Sequence, residues 1–306
     1  MEEPELPQDH FVSRGYQQNF ASHDKRVAVF DARSGALLEA DRPIKSNFRE
    51  RGFTTFVQAG VPNDLLEKAF CSVERRVLNE VRTIGLARRG PQQKADVANL
   101  FAIHLVRSPS FKHFHERVAS HFRNAHVSPY ATKAEVRERF IADKGQPPKE
   151  GELESLVHEV YDGLISDPST LANTMIRQHD LMANMLNRFH LQVIEISDIG
   201  LPGFAIGDTP IVHARLAEDV YGFRDSLALG DADFIVGPLT RRTAAAFTAR
   251  RFEAVSVTTR RMVDTINAVF MRAAFEELAC HPNDARAMAQ TFRNLDRLDP
   301  IRLTGR

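Results

Sequence analysis

The sequence predicts an α+β fold: an N-terminal arm and β-hairpin, a helical middle, late strands joining one mixed or antiparallel sheet, and C-terminal helices. Three observations predict it. Apolar residues recur at spacings of three and four through the middle of the chain, the period shortens to that of strands from residue 191, and turn residues stand at the joints. With 306 residues and 43% hydrophobic content, the chain can bury a full core. A single domain is expected over 1–306, with arm and hairpin over 1–60, helices over 61–190, strands over 191–259 and closing helices over 260–306.

Each element has its own signal. The arm, PQDHFVSRGYQQNF over residues 7–20, mixes a histidine, an arginine and glutamines with the aromatic anchors Phe11, Tyr16 and Phe20. Polar side chains on an ordered, non-helical segment often carry function. RVAVFDARSGALLEA, residues 26–40, sets two apolar runs around an Arg-Ser-Gly turn and predicts a hairpin. From Asn63 to Ile84, Leu66, Phe70, Val73, Val77, Val81 and Ile84 form the apolar stripe of a helix. Asp96–Val106 is a more apolar helix expected to cross the middle of the fold, and Ser108-Pro109 restarts the chain as a third helix to about Arg123. Thr132-Lys-Ala-Glu135 has the capping-box form and opens a helix closed by Gly145 and Pro147-Pro148. Helices follow from Glu152 to Ile165 and, capped by Asp167, from Ser169 to about Phe189. LQVIEIS, GFAIGD, DFIVGPLT and RTAAAFTAR then read as strands, and helices are expected over Arg260–Ala279 and Asp284–Phe292.

Composition narrows the function. Lys plus Arg and Asp plus Glu balance at 40 each, so no global field steers the chain to nucleic acid or anionic lipid, and any basic surface must be local. The two cysteines, Cys71 and Cys280, lack metal spacing and read as reduced thiols on buried helix faces. No apolar run reaches the length of a membrane span, and the acidic start has no signal-peptide pattern, so the expected setting is cytoplasmic, without membrane partners.

The polar constellations each carry two readings. His10, Arg14 and Tyr16 suit anion binding or general acid–base chemistry, or else decorate an arm pinned by its aromatics. His104 and Arg107 share one face of an apolar helix, where a buried arginine needs an acceptor such as Glu74; for His104 the core reading is preferred. FAIGDTP, residues 204–210, ends a strand in Gly-Asp-Thr-Pro, which places Asp208 and Thr209 where ligand-holding groups are common and where an ordinary turn would also put them. Asn267 lies one turn from Asp264 and faces either a site or the surface. The histidines of HERVASH, residues 115–121, are six apart and unsuited to one metal, so no metal and no cofactor is expected. A basic stripe of Arg88, Arg89, Arg241, Arg242, Arg250 and Arg251 would suit RNA, but solvated loop arginines are the favoured reading.

The order of these segments resembles the bacterial domain-of-unknown-function family numbered 4238. His10, Tyr16 and Phe20 match its opening arm; His104, Arg107, Ser108 and Pro109 match its helix end; Gly207, Asp208, Thr209 and Pro210 match its Ser-Asp-Asn-Pro strand end, and Asn267 a late helical asparagine. Ser13, Gln17 and Thr209 depart from the proline, leucine and asparagine usual there, and an altered or absent activity would follow were that asparagine catalytic.

The leading expectation from the residues is a metal-independent hydrolase of an anionic ester, such as a phosphoester in RNA or a nucleotide. His10 would be general acid or base, Arg14 and Arg107 would hold the anion with Thr209 and Asn267 nearby, and Asp208 would orient the histidine or position water. The alternative is a non-catalytic binding or regulatory protein built around a buried ion-pair network. The partners expected are an anionic small molecule or RNA, and nothing in the pattern sets an oligomeric state.

Overall fold

The computed structural model describes residues 6–58, 61–85, 90–166, 168–249 and 255–298. The arm is β1 (Gln8–His10) and a one-turn helix α1 (Arg14–Gln17). The expected hairpin is β2 (Arg26–Asp31) and β3 (Leu37–Pro43); β4 (Arg49–Arg51) then turns back to pair with β1, and β5 (Phe56–Gln58) and β6 (Val61–Asn63) form a small second hairpin. The middle is helical: α2 (Leu65–Arg82), α3 (Pro91–Val106), α4 (Pro109–Ala131), α5 (Ala134–Lys144), α6 (Glu152–Ser166) and α7 (Pro168–Leu186). Strands β7 (His190–Ile196), β8 (Ile206–Gly207), β9 (Val212–Arg215), β10 (Val220–Tyr221), β11 (Phe234–Pro238), β12 (Thr243–Thr248) and β13 (Val255–Val257) follow. Helix α8 (Arg260–Ala273), β14 (Glu277–Cys280) and α9 (Ala285–Arg293) close the described chain, and the class is α+β as expected.

Six late strands form a mixed sheet in the order β10-β9-β11-β12-β7-β13, antiparallel except for the parallel β13–β7 pair. The hairpin sits in a separate four-stranded sheet, β3-β2-β14-β8, which takes the other two late strands. The six-stranded sheet is covered on both faces. Val193, Ile235, Ala245 and Phe247 meet α3, with the Phe101 and Phe247 rings 5.5 Å apart, while Ile194, Val212, Ala244 and Ala246 meet Val263, Ile266 and Phe270 of α8. That burial explains why β12 reads as a nearly unbroken run of small apolar residues rather than a clean alternation. Gly237 sits where this packing is closest: a Cβ there would lie 2.3 Å from Ile211 Cδ1.

Some boundaries differ from expectation. The helix expected over Arg260–Ala279 stops at Ala273, and Glu277–Cys280 is a strand, so Cys280 lies in a sheet and not on a helix face; Cys71 is only partly buried. The Thr132 capping box does not form, because the Thr132 hydroxyl donates back to the Pro129 carbonyl at 2.9 Å and Lys133 becomes the N-cap. Gly145 ends α5 in the left-handed region as expected, with φ 71°. The Asp167 cap lies outside the described residues.

One buried histidine escaped the sequence reading. His213 on β9 is buried, its Nε2 lies 3.0 Å from the Leu227 carbonyl, and its ring stands edge-on to Phe223 at 4.5 Å. Burial drives its pKa down to about 4, against the opposing pull of the Leu227 bond. A depressed histidine favours the fold only while neutral, so its contribution is complete above the unfolded value of about 6.5 and is lost as pH falls toward the folded value. We expect about 3 kcal/mol of acid destabilisation from this group between those limits. Urea denaturation of wild type and His213→Gln at pH 7 and pH 4 checks it: the difference between the two proteins should shrink by that amount at the lower pH.

Candidate functional site

The arm is tied down along its whole length. β1 pairs with β4 in the register Gln8↔Arg51, Asp9↔Glu50, His10↔Arg49. The Asp9 carboxylate accepts the backbone N–H groups of Thr54 at 2.9 Å and Thr55 at 2.8 Å. Phe11 packs between the Phe48 and Phe53 rings, and Val12, Tyr16 and Phe20 are wholly buried. The Tyr16 hydroxyl donates to the Pro238 carbonyl, which fastens the arm to the end of β11. An N-terminal segment held this firmly is part of the core and not a frayed end.

Beneath the arm lies a buried ionic cluster. Arg107, at the C-terminal end of α3, has no exposed surface. Its Nη2 donates to the His10 carbonyl and to Glu67 Oε2 at 2.8 Å, and its Nη1 lies 3.6 Å from Glu74 Oε2. The guanidinium also sits over the Phe70 ring, 5.7 Å from its centroid. His104 is fully buried, 3.2 Å from Glu74 Oε1 and stacked on Tyr16 at 4.4 Å. That histidine contact has the distance of an ion pair without the angle of a hydrogen bond, and both ring nitrogens lack a hydrogen-bond partner. His104, Arg107 and Ser13 hold the Glu74 carboxyl below its usual range, although burial alone would raise it. The expected Arg107–Glu74 pair is therefore present, and Glu67, which the sequence reading missed, is the better-aligned partner. Its signal was there to find: Glu67 and Glu74 are seven residues, or two turns, apart on one face of α2.

Above this cluster the arm, the hairpin ends and α2 enclose a cleft of about 1140 Å³. Exposed Arg14, Lys25, Lys45 and Arg75 line it and make no ion pair with a described residue. Lys25 and Lys45 are neighbours because the hairpin closes on itself, with the Ile44 N–H bonded to the Lys25 carbonyl. Of the carboxylates on the lining, Asp9 is held by Thr54 and Thr55, and Glu67 and Glu74 by Arg107, so Asp24 alone is left on the rim.

His10 lines this cleft half-buried. Its Nε2 lies 3.2 Å from the Lys45 carbonyl oxygen, and only an N–H can face a carbonyl attractively. The ring hydrogen is thus on Nε2, and Nδ1 carries the free lone pair. Burial, then repulsion from Arg14, Arg107 and Arg49, lowers the His10 pKa, so the ring is neutral at neutral pH. Cys71 also lines the cleft, but burial and Glu67 push its thiol up to about 12, which leaves it a poor nucleophile.

The remaining expected site residues lie elsewhere. Asp208 borders a second cleft of about 500 Å³ with Arg49, His113 and Phe275, and His10 is not on its lining. Its carboxylate accepts the N–H groups of Phe275, Glu276 and Glu277 at 2.7, 2.6 and 3.0 Å and so anchors the start of β14. Burial pushes its pKa up to about 6 against those three donors. Thr209 is buried with its hydroxyl 3.4 Å from Ser110, and Asn267 is buried with its amide bridging the Ala205 N–H and the Gly203 carbonyl. Neither reaches the arm cleft. Arg241 pairs with Asp284 in bidentate fashion, and Arg242 donates to the carbonyls of Ile196, Asp198 and Leu201, so these two are not solvated loop arginines; Arg88, Arg89, Arg250 and Arg251 lie outside the described residues. Among the described residues, no three His, Cys, Asp or Glu side chains converge in a way that could hold a metal ion, and no helix is long and apolar enough to cross a membrane.

The three departures from the family pattern are accommodated locally. Ser13 caps α1 by accepting the Tyr16 N–H, and buried Gln17 donates to the Val12 carbonyl while its own carbonyl accepts from Asn47. Thr209 turns toward Ser110 beside the Arg107-Ser108-Pro109 corner. A family model described as Protein of unknown function (DUF4238) matches residues 8–284, which takes in the arm, the cleft and both large sheets. Comparison with curated proteins and with solved structures finds no match.

Proposed function

The chain belongs to the DUF4238 family, and from the geometry of the arm cleft we propose that it binds a multiply charged anion, a phosphate-bearing small molecule such as a nucleotide or a short stretch of RNA. One observation carries this reading: four cations without an ion pair among the described residues, Arg14, Lys25, Lys45 and Arg75, line one cleft of about 1140 Å³ whose carboxylates, Asp24 apart, are already bonded. A cleft lined mainly by one sign of free charge concentrates counter-ions, and arginine and lysine are the usual phosphate partners. Arg107 does not touch this ligand. It positions His10 by holding the histidine carbonyl, while its charge is balanced by Glu67 and Glu74.

Hydrolysis of the bound ester is a second reading, and it rests on the neutral His10 ring with its free Nδ1. Such a ring serves as a general base toward water beside an anion. Asp208 has no part in it, because its oxygens already serve the backbone of residues 275–277.

Calorimetric titration with pyrophosphate, AMP and a short single-stranded RNA tests the first reading. Wild type should bind at least one of them saturably, more weakly as salt rises, and Arg14→Ala/Lys45→Ala should bind it weaker by about tenfold or more. Absence of binding to all three, or equal affinity in the variant, would contradict it. Turnover of bis(4-nitrophenyl) phosphate, lost in His10→Ala while binding persists, would support hydrolysis; binding without turnover in wild type sinks the second reading alone.

A further inference from the structure

A second cavity lies away from the arm, between α4 and α7, with a volume of about 830 Å³. α4 presents Phe114 and Val118, and α7 presents Leu181, Met182 and Met185; the segment around Phe223 and Leu229 forms the third wall. This wall is fixed to α4, since Arg117 donates to the Phe223 carbonyl at 2.6 Å and to the Arg224 carbonyl at 3.2 Å, and the Phe114 and Phe223 rings are 5.3 Å apart. Leu181 stands 60% exposed on the groove, a large apolar side chain left in water. Paired methionines give an apolar wall that adapts its shape to a chain.

The groove has a polar end. Exposed Arg188 lines it just beyond the C-terminus of α7 and forms no ion pair or side-chain hydrogen bond with a described residue. Thr174, Gln178, Leu181, Met185 and Arg188 recur at spacings of three and four, so the groove follows one stripe along α7 and its end. Along α7, Thr174 to Leu186 spans about 18 Å at the helical rise, a length on the scale of an extended fatty alkyl chain.

We propose that this groove binds a single-chain amphiphile with a carboxylate head, its hydrocarbon chain lying along Met182, Met185 and Phe114 and its head at Arg188. The chain removes Leu181 and the phenylalanine edges from water, and the cation at the end selects an anionic head over a neutral one. The site is separate from the arm cleft, and neither proposal depends on the other.

Isothermal titration of the full chain with dodecanoate and with its methyl ester, below their aggregation limits, tests this. Wild type should bind dodecanoate saturably and the ester about tenfold or more weakly, and Arg188→Ala, a change at an exposed position, should bring the two affinities together. Because the chain has no tryptophan, Leu181→Trp supplies an independent reporter whose emission should shift blue on dodecanoate binding. Lack of saturable binding, equal affinity for acid and ester in wild type, a preference unchanged in Arg188→Ala, or a signal arising only with micelles would each overturn the proposal.

Discussion

Replacing Arg107 with methionine should destabilise the fold by about 3–5 kcal/mol, the usual cost of stripping the partner from a buried charge. Glu74 is almost wholly buried, and the loss of Arg107 leaves it with only the His104 contact at 3.2 Å and the Ser13 hydroxyl. Glu67 loses its 2.8 Å partner as well, and the His10 carbonyl loses its donor. The loss therefore falls on α2, α3 and the arm together. Urea denaturation measures it, and Arg107→Met/Glu74→Leu should recover part of the stability, because removing both charges avoids the uncompensated one. A loss below about 1 kcal/mol in the single variant would mean that the cluster is hydrated and not structural.

Asp208→Ala should cost about 3 kcal/mol, since three backbone N–H groups lose their acceptor in a partly exposed setting. Asp208→Asn should cost less, because its amide keeps one acceptor oxygen while turning an NH2 group toward the N–H of Phe275 or of Glu276 and Glu277. Amide hydrogen exchange at 275–277 should accelerate in both variants. Unchanged stability together with lost ligand binding would instead return Asp208 to a ligand-holding role.

How far the sequence showed all this depends on the distance over which each bond reaches. The stripe Leu66, Phe70, Val77, Val81 and Ile84 on and beyond α2 is buried as its periodicity implies, and Arg107 with Glu74 was legible because each lies on a regular helical face. Glu277–Cys280 looked helical because its neighbours do. It is a strand because β2 and β8 offer hydrogen bonds on both sides and Asp208 collects the N–H groups that lead into it, and none of these partners is near in sequence. The same holds for the site. His10 and Arg14 were visible as polar residues on an aromatic arm, but Lys25, Lys45 and Arg75 reach the cleft only through hairpin closure and the docking of α2. Gly-Asp-Thr-Pro left ligand and turn readings open. In the structure its carboxylate holds backbone from a remote segment, a role that local spacing does not encode.

The imidazole of His10 offers the most direct test of the arm cleft. Long-range proton–nitrogen NMR, with His10→Gln to identify the signal, should show a neutral ring protonated on Nε2 at neutral pH. On addition of pyrophosphate its resonances should shift and its pKa should rise, because a nearby anion favours the charged ring against the burial and the repulsion from Arg14, Arg107 and Arg49 that lower it. A His10 signal and pKa that stay where they were through the titration would contradict anion binding in the arm cleft.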